Sequence, residues 1–429
     1  MKPAEELILY QMKEENVFWD FIRVLEEAQI ERPPKEEIRA LCYDSLHKLI
    51  ELTASHGFEG NLWHTYLTYL IVNHENAYSI ACEIRGRVEG SINAFALHDF
   101  AIFKELFDID LGQASEALGI PLLKAVEDYR RVAGIGKVFN TRIRDRIVQL
   151  SVKLKETSSP EEFQQAVTEF YKDFGVGVLG LHKAFRIVHK ESGPKVEPIT
   201  NIAHVHLDDL VGYEIAKAKL IENTEAFVKG KKANNCLLYG DAGTGKSTSI
   251  KAVINQYYSQ GLRMIEVYKH QFQDLNPLIA QIKNRNYRFI IYMDDLSFEE
   301  FEIEYKYLKA VIEGGLEKKP DNILIYATSN RRHLVRERFR DKEELEDDLH
   351  KNDTVQEKLS LVGRFGVTIY YGAPTPAEFR EIVVSLAQKA GIVMPKEQLL
   401  AQANQWELSH GGLSGRTAQQ FIDYLLGRE

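Results

Sequence analysis

The chain has 429 residues and a formal net charge of −9, with 44% hydrophobic and 27% charged residues. This length predicts two or three domains, and the composition is that of a globular protein that buries a core in each of them. The acidic balance argues against a dedicated nucleic-acid binder, which usually carries a basic surface, without excluding a local basic patch.

Three further features concern the compartment. The sequence has no run of about 18 apolar residues, so we expect no membrane span and no membrane partner. Its polar, acidic beginning lacks the basic and then apolar stretches of a signal peptide. The cysteines, Cys42, Cys82 and Cys236, lie far apart without a CxxC pair, which argues against a disulfide scaffold or a zinc site. Together these features predict a cytoplasmic protein.

The first 192 residues carry apolar side chains at helical spacing, as in Phe18, Phe21, Ile22 and Leu25. This pattern predicts a helical N-terminal domain over residues 1–192. Four aromatic residues of the region share the same spacing: Trp63, Tyr66, Tyr69 and Tyr78. We interpret them as core residues rather than as a stacking platform for nucleic-acid bases. Three histidines without partners at metal-ligand spacing are interpreted as ordinary core or surface residues: His64, His74 and His98.

Two prolines and a glycine between Gly193 and Pro198 favour an extended, exposed chain, so we predict a linker over residues 193–200. Beyond it, short apolar runs alternate with helical patterns, which is typical of a parallel sheet with crossover helices. The predicted strands are 235–239, 264–267, 289–293 and 323–327, within an α/β core over residues 201–374. Helical patterns at 376–390, 395–406 and 414–426 predict a helical lid over residues 375–429.

The strongest local signal is the pattern GxxxxGK[ST] at residues 240–247, between a strand-like run and a helical run. It predicts a phosphate-binding P-loop formed by Gly240, Asp241, Ala242, Gly243, Thr244, Gly245, Lys246 and Ser247, with Thr248 following. Glycines let backbone N–H groups wrap the phosphates of ATP, and Lys246 adds a positive charge. The Ser247 hydroxyl is a ligand for Mg²⁺. The alternative is a chance glycine-rich turn, which the strand and helix on either side argue against.

A second apolar strand, Phe289 to Met293, ends in Asp294 and Asp295. In P-loop ATPases the first carboxylate at this place holds Mg²⁺ and the second residue polarises the attacking water, and we assign Asp294 and Asp295 accordingly. The alternative is a solvated turn in which aspartate caps a helix.

The order of the segments from residue 200 to 429 resembles the AAA+ superfamily of ring-forming ATPases. The resemblance implies that Val211 and Gly212, in LDDLVG, pack against adenine, and that Asn330, in ATSNR, orients the attacking water. It implies that Arg364, in SLVGRFG, is an arginine finger that reaches a neighbouring subunit, and that Arg416, in SGRTA, contacts the γ-phosphate from the lid. A surface ion pair is the alternative for either arginine.

More narrowly, the phrases YMDDLSFEE, ATSNRRHL, SGRTA and GLHKAFRI resemble a bacterial family of AAA+ ATPases, domain of unknown function 815. The resemblance implies the two-part layout described above. The chain differs from most AAA+ enzymes in the acidic pair, because Asp295 stands where glutamate is usual. The shorter side chain predicts either slow hydrolysis or assistance from Glu299 or Glu300. The alternative interpretation of these two glutamates is that they lie on a solvated helix face.

Two stretches beyond the acidic pair carry less specific signals. Arg331 and Arg332 fit either a subunit interface or an acidic neighbour. The charged stretch 336–358 is interpreted as a solvated loop, with a subunit or partner surface as the alternative.

The sequence therefore predicts an α/β P-loop ATPase of the AAA+ type, with a helical lid and an all-α N-terminal domain. It would use ATP and Mg²⁺ in a homo-oligomeric ring to remodel a protein or nucleic-acid client. One alternative is a nucleotide-switched binding module with negligible turnover. A small-molecule kinase is a weaker one, because it leaves Asn330, Arg364 and Arg416 without a joint explanation.

Overall fold

The computed structural model describes residues 4–12, 15–30, 35–130, 140–190, 193–200, 202–298, 304–313, 320–330 and 363–428. Two compact units divide the chain, Met1–His182 and Lys183–Glu429. In the described part of the chain no helix combines the length and apolar character that crossing a bilayer requires.

The first unit is built from helices, in agreement with the helical pattern of its sequence. Its described α-helices are α1 (Asn16–Ala28), α2 (Glu36–His56), α3 (Leu62–Asn73), α4 (Ala77–Arg85), α5 (Ile92–Asp108), α6 (Leu111–Leu118), α7 (Thr141–Glu156), α8 (Pro160–Phe174) and α9 (Gly177–Leu181). Short 3₁₀ helices cover Ala4–Glu6 and Pro121–Val126. Side-chain caps such as Asn61 on α3 and Ser159 on α8 accept hydrogen bonds from otherwise unpaired backbone N–H groups of the first turn.

The core of this unit is rich in aromatic side chains. Trp63, Tyr66 and Tyr78 are each at most 2% exposed, and the Trp63 indole donates to the Leu106 carbonyl at 3.1 Å. Tyr69 packs against the same core from a partly buried position. The interpretation of these four residues as core is therefore confirmed, because rings packed within a core have no face left for a nucleic-acid base.

His64 belongs to this core rather than to the surface. It is 6% exposed, stacks on Phe107 at 4.8 Å between ring centroids, and lies 2.8 Å through Nε2 from the Phe107 carbonyl oxygen. Nε2 must therefore carry the proton and donate it. Burial, aided by the charge of Lys155, lowers the pKa of His64 from 6.5 to about 4.

We expect the lowered pKa to make the first unit less stable in acid. Between pH 6.5 and pH 4 the unfolded chain binds a proton at His64 that the folded chain does not, so the free energy of unfolding falls as the pH falls. The loss is about 2 kcal/mol between pH 6.5 and pH 5. His64→Gln keeps a donor that cannot titrate, so urea unfolding followed by tryptophan fluorescence should show a smaller loss for this variant. Equal losses in both proteins would contradict the prediction.

The described residues of the second unit form one seven-stranded sheet. Its strands are β1 (Ala184–Lys190), β2 (Gly193–Pro198), β3 (Cys236–Gly240), β4 (Leu262–Glu266), β5 (Arg288–Met293), β6 (Ile323–Ser329) and β7 (Val367–Tyr371). The order across the sheet is β2-β1-β4-β5-β6-β3-β7, and only the β1–β2 pair is antiparallel. The described helices are α10 (Glu214–Val228), α11 (Lys246–Tyr257), α12 (Leu275–Ile282), α13 (Glu304–Glu313), α14 (Pro376–Lys389), α15 (Lys396–Ser409) and α16 (Gly415–Leu426).

The predicted linker at 193–200 is wrong, because residues 193–198 form strand β2 and pair with β1. Prolines are compatible with this strand since it lies at the edge of the sheet, where one row of N–H groups has no ladder partner. The helical domain also ends earlier than residue 192. Buried Phe185 and Ile187 alternate with exposed Arg186, which is the two-residue period of a strand.

Strand β3 lies between β6 and β7, and β5 is the next strand beyond β6. Because all of these strands are parallel, their carboxyl ends meet at one edge of the sheet, which is where open α/β sheets bind ligands. Helices α14 to α16 enclose a separate small core around Phe379, Val383 and Phe421. This is the parallel α/β P-loop fold with a helical lid that the sequence predicts.

Candidate functional site at the carboxyl edge of the sheet

The loop between β3 and α11 is shaped by its glycines. Gly240, Gly243 and Gly245 have φ angles of 135°, 75° and 91°, in the region that side chains rarely adopt. A Cβ at Gly240 would overlap the carbonyl oxygen of Tyr371, and one at Gly245 would overlap the Leu210 side chain. The spacing of the glycines therefore follows from backbone conformation and from close packing at the same positions.

Lys246 is the first residue of α11 and is 6% exposed. Its ammonium group donates to the carbonyl oxygens of Gly240 at 3.0 Å and Asp241 at 2.6 Å, which holds the side chain beneath the loop. Burial lowers the pKa of Lys246, while the carboxylates of Asp241, Asp295 and Asp294 act in the opposite direction. A cation is thus held against the backbone of the loop by two of its carbonyl oxygens.

The acidic residues follow the last residue of β5 directly. The Ser247 hydroxyl donates to Asp294 Oδ1 at 2.7 Å, and the Thr328 hydroxyl donates to the same oxygen. Desolvation raises the pKa of Asp294, but hydrogen bonds from Thr328 and Ser247 act in the opposite direction, and the pKa stays below the ordinary value of an aspartate. A serine hydroxyl and an ionised carboxylate that converge in this way are hard oxygen donors, which suit Mg²⁺.

Asp295 has a left-handed backbone conformation, with φ of 50°. Its N–H donates to the Thr328 hydroxyl at 2.9 Å, and its Oδ1 accepts from the Asn330 amide at 2.8 Å. The predicted residues Ser247, Asp294, Asp295 and Asn330 therefore lie together, although their segments are far apart in the sequence.

These groups open into one cavity of about 570 Å³. Its polar side is lined by Gly243, Thr244, Gly245, Lys246, Ser247, Thr248, Asp294, Asp295, Thr328, Asn330 and Arg416. Apolar side chains from the core and the lid line another part: Val205, Leu210, Val211, Tyr213, Ile382 and Leu386. The lining of the cavity is thus partly polar and partly apolar, as is common in small-molecule sites.

The lid contacts the loop directly. The backbone N–H of Arg416 donates to the Gly243 carbonyl oxygen at 3.2 Å, and Ser414 caps the start of α16 by accepting from the Thr417 N–H. A Cβ at Gly243 would come within 2.9 Å of the Ser414 hydroxyl oxygen. A side chain at residue 243 would therefore push the lid away from the loop.

Arg364 is not among the residues that line the cavity. It precedes β7, whose register with β3 pairs Val367 with Cys236 and Tyr371 with Gly240. The arginine consequently lies toward the amino edge of the sheet, and the length of β7 separates it from the loop of its own chain. Gly212 and Gly240 to Ala242 also do not line the cavity.

Some predicted features lie outside the described residues. They are Glu299, Glu300, Arg331, Arg332 and the charged stretch 336–358.

Sequence reasoning missed several side chains that line the cavity, among them Thr328 and Tyr213. Thr328 precedes Asn330 by two positions, so the two side chains share a face at the end of β6. The two-residue period of a strand could therefore have identified Thr328 from the sequence. Tyr213 has φ of 59°, donates to the Gly372 carbonyl at 3.0 Å and stacks on Tyr371 at 5.2 Å between ring centroids. No sequence signal indicates a left-handed tyrosine, since bulky residues rarely adopt this conformation.

A protein family described as "Protein of unknown function (DUF815)" matches residues 181–429. The chain belongs to this family. The match begins within a few residues of the junction between the two compact units, so it covers the sheet, the P-loop and the lid of this DUF815 protein. No curated protein matches the sequence.

Solved structures similar to this DUF815 member include the Holliday junction branch migration motor RuvB of Thermotoga maritima, at 14% identity and a TM-score of 0.31. A variant of the same motor has the same identity and a TM-score of 0.33. In both comparisons 51% of this chain and 72% of the RuvB chain are covered. What RuvB acts on is a property of that protein.

Proposed function

We propose that the protein binds ATP with Mg²⁺ at the cavity described above and hydrolyses it to ADP and phosphate. The observation that carries the proposal is the convergence of three elements on one cavity. They are the glycine-shaped loop with Lys246, the Ser247–Asp294 pair, and the Asp295–Asn330 pair. A site that binds and hydrolyses a nucleoside triphosphate needs all three elements, whereas a site for another class of small molecule does not.

The phosphates would lie over the loop at residues 243–247, where the start of α11 directs its N-terminal N–H groups and its dipole outward. Lys246 would exchange its hydrogen bonds to loop carbonyls for bonds to phosphate oxygens. Ser247 and Asp294 would hold Mg²⁺, which neutralises charge on the phosphates when bound. The apolar wall around Val211 and Ile382 would cover the base, and Gly212 would let the chain turn beside it.

Asp295 and Asn330 would place the attacking water. The hydrogen bond between them fixes the Asp295 carboxylate. The carboxylate would accept a hydrogen bond from the water and so orient a lone pair of the water oxygen for attack. Arg416, on the cavity wall, would contact the γ-phosphate. Because the lid is bonded to the loop through the Arg416 N–H, a change at the phosphates would move the lid.

Arg364 would serve a neighbouring subunit. Its place toward the amino edge keeps it from the cavity of its own chain, while a head-to-tail arrangement would bring that edge against the next subunit's cavity. A homo-oligomeric ring of this kind would drive remodelling of a protein or nucleic-acid client. The three cysteines are buried and free, which suits the cytoplasm.

Direct measurement of binding and turnover tests the proposal. We expect the purified protein to bind a fluorescent ATP analogue with Mg²⁺ at a Kd below about 1 mM and to release phosphate slowly but continuously. GTP and inorganic triphosphate are the comparison ligands. The absence of ATP binding at millimolar concentrations would remove the whole assignment.

A second function is favoured by the short side chain of Asp295. If the water is held too loosely, the protein would act as a switch whose lid and first unit change state on ATP binding with negligible turnover. The lid–loop hydrogen bond from Arg416 supplies the coupling that such a switch needs. ATP binding without sustained phosphate release would favour this function over hydrolysis.

A further inference from the structure

The backbone of Asp295 distinguishes this site from a simple acidic strand end. Its φ of 50° lies in the left-handed region, which is uncommon for any residue other than glycine. Aspartate and asparagine tolerate this region best, because their short polar side chains form local hydrogen bonds there. The carboxylate of glutamate is one methylene further from the backbone, so it does not form these local hydrogen bonds as readily.

Thr328 holds three consecutive residues of the opposite segment. Its hydroxyl donates to the Asp294 carboxylate and accepts from the Asp295 N–H, and its carbonyl accepts from the Leu296 N–H at 2.7 Å. Thr328 is 2% exposed, so water does not replace these bonds easily. A left-handed residue persists only where its surroundings determine it, and these bonds are such surroundings.

We propose that Thr328 is a positioning residue that locks Asp295 in the left-handed conformation, and that this lock is the reason why aspartate serves here. The left-handed backbone directs the short Asp295 carboxylate toward Asn330. This direction compensates for the methylene by which a glutamate side chain would be longer. The inference rests on the proposed ATPase function for the role of Asp295, although the lock itself is independent of that function.

The chemistry of the lock requires a hydroxyl. The Thr328 hydroxyl donates to a carboxylate and accepts from an N–H at the same time. A serine hydroxyl can do the same, whereas valine has no hydroxyl. Valine has nearly the shape of threonine, so it removes both bonds without opening a cavity. The Asp295 N–H would then lose its partner, and Asp294 Oδ1 would keep only the bond from the Ser247 hydroxyl, so both acidic residues would be held less firmly.

The first experiment compares Thr328→Val and Thr328→Ser in the full-length protein. For Thr328→Val we expect kcat for ATP to fall about tenfold or more with KM changed less than about threefold, and the Mg²⁺ concentration needed for analogue binding to rise. Thr328→Ser should retain most of the wild-type kcat and most of the wild-type Mg²⁺ affinity. The matched control is Thr224→Val, which removes a fully buried hydroxyl bonded to the Leu220 carbonyl and to the Tyr326 hydroxyl. None of these three residues lines the cavity.

A Thr328→Val protein with wild-type kcat and Mg²⁺ dependence would overturn the proposal. So would a loss of the same size in Thr224→Val, because the effect would then be general. The Mg²⁺ dependence of analogue binding does not need turnover. A wild-type protein that binds ATP but does not hydrolyse it would therefore contradict the proposed hydrolysis while leaving the lock testable.

The second experiment does not change the buried threonine. Asp295→Glu restores the side chain usual in AAA+ enzymes, yet we expect it to lower kcat about tenfold and to lower Tm, because glutamate strains the left-handed backbone. Asp295→Asn keeps the backbone preference and should leave Tm unchanged while turnover falls. An increase of kcat in Asp295→Glu would overturn the proposal.

Discussion

Replacing Lys246 by alanine is expected to lower ATP turnover by at least about 100-fold. The lysine is the cation held beneath the phosphate loop, and nothing else among the described residues of the loop carries a positive side chain. Its loss would leave the carboxylates of Asp294 and Asp295 beside the phosphates without the positive charge of the loop. Binding of the analogue should weaken about tenfold or more, measured by fluorescence titration with Mg²⁺.

The matched control for this substitution is Lys219→Ala, which removes an exposed lysine from α10. It should change neither turnover nor binding. Thermal unfolding of both variants separates loss of the charge from loss of the fold, since Lys246 is buried and bonded to the Gly240 and Asp241 carbonyls. A folded Lys246→Ala protein with normal turnover would mean that the measured hydrolysis does not occur at this loop.

The P-loop could be predicted because its chemistry is local. Three glycines, a lysine and a serine at fixed spacing determine the turn and the start of α11, whatever the rest of the chain does. The strands behind it were predictable for a related reason. Fully buried parallel strands read as continuous apolar runs, as in Phe289 to Met293 and Ile323 to Ala327.

The β1–β2 hairpin could not be predicted in the same way. Its two prolines resemble a linker until the sheet is known, because only the edge position leaves their missing N–H groups without consequence. The conformation of Asp295 is also nonlocal, since its N–H partner Thr328 comes from another strand. Sequence identified the acidic residues, but not the backbone turn that aims them.

Mixing two inactive variants is expected to restore turnover if Arg364 acts on a neighbouring subunit. Lys246→Ala keeps the arginine but lacks a working loop, whereas Arg364→Ala keeps the loop but lacks the arginine. In a head-to-tail ring, a competent site forms wherever an intact loop faces an intact arginine. Random assortment of equal amounts gives such a site at about one quarter of the interfaces.

The expected result is therefore phosphate release at up to about one quarter of the wild-type rate from an equimolar mixture, with each variant alone nearly inactive. Mixing Lys246→Ala with a Lys246→Ala, Arg364→Ala double variant is the control, because no intact loop is present and no recovery should occur. The register of β7 with β3 places Arg364 toward the edge opposite the loop, so in the proposed ring each site receives this arginine from the neighbouring subunit. Failure of the mixture to recover at any ratio, with subunit exchange verified by differently labelled proteins, would contradict the shared site.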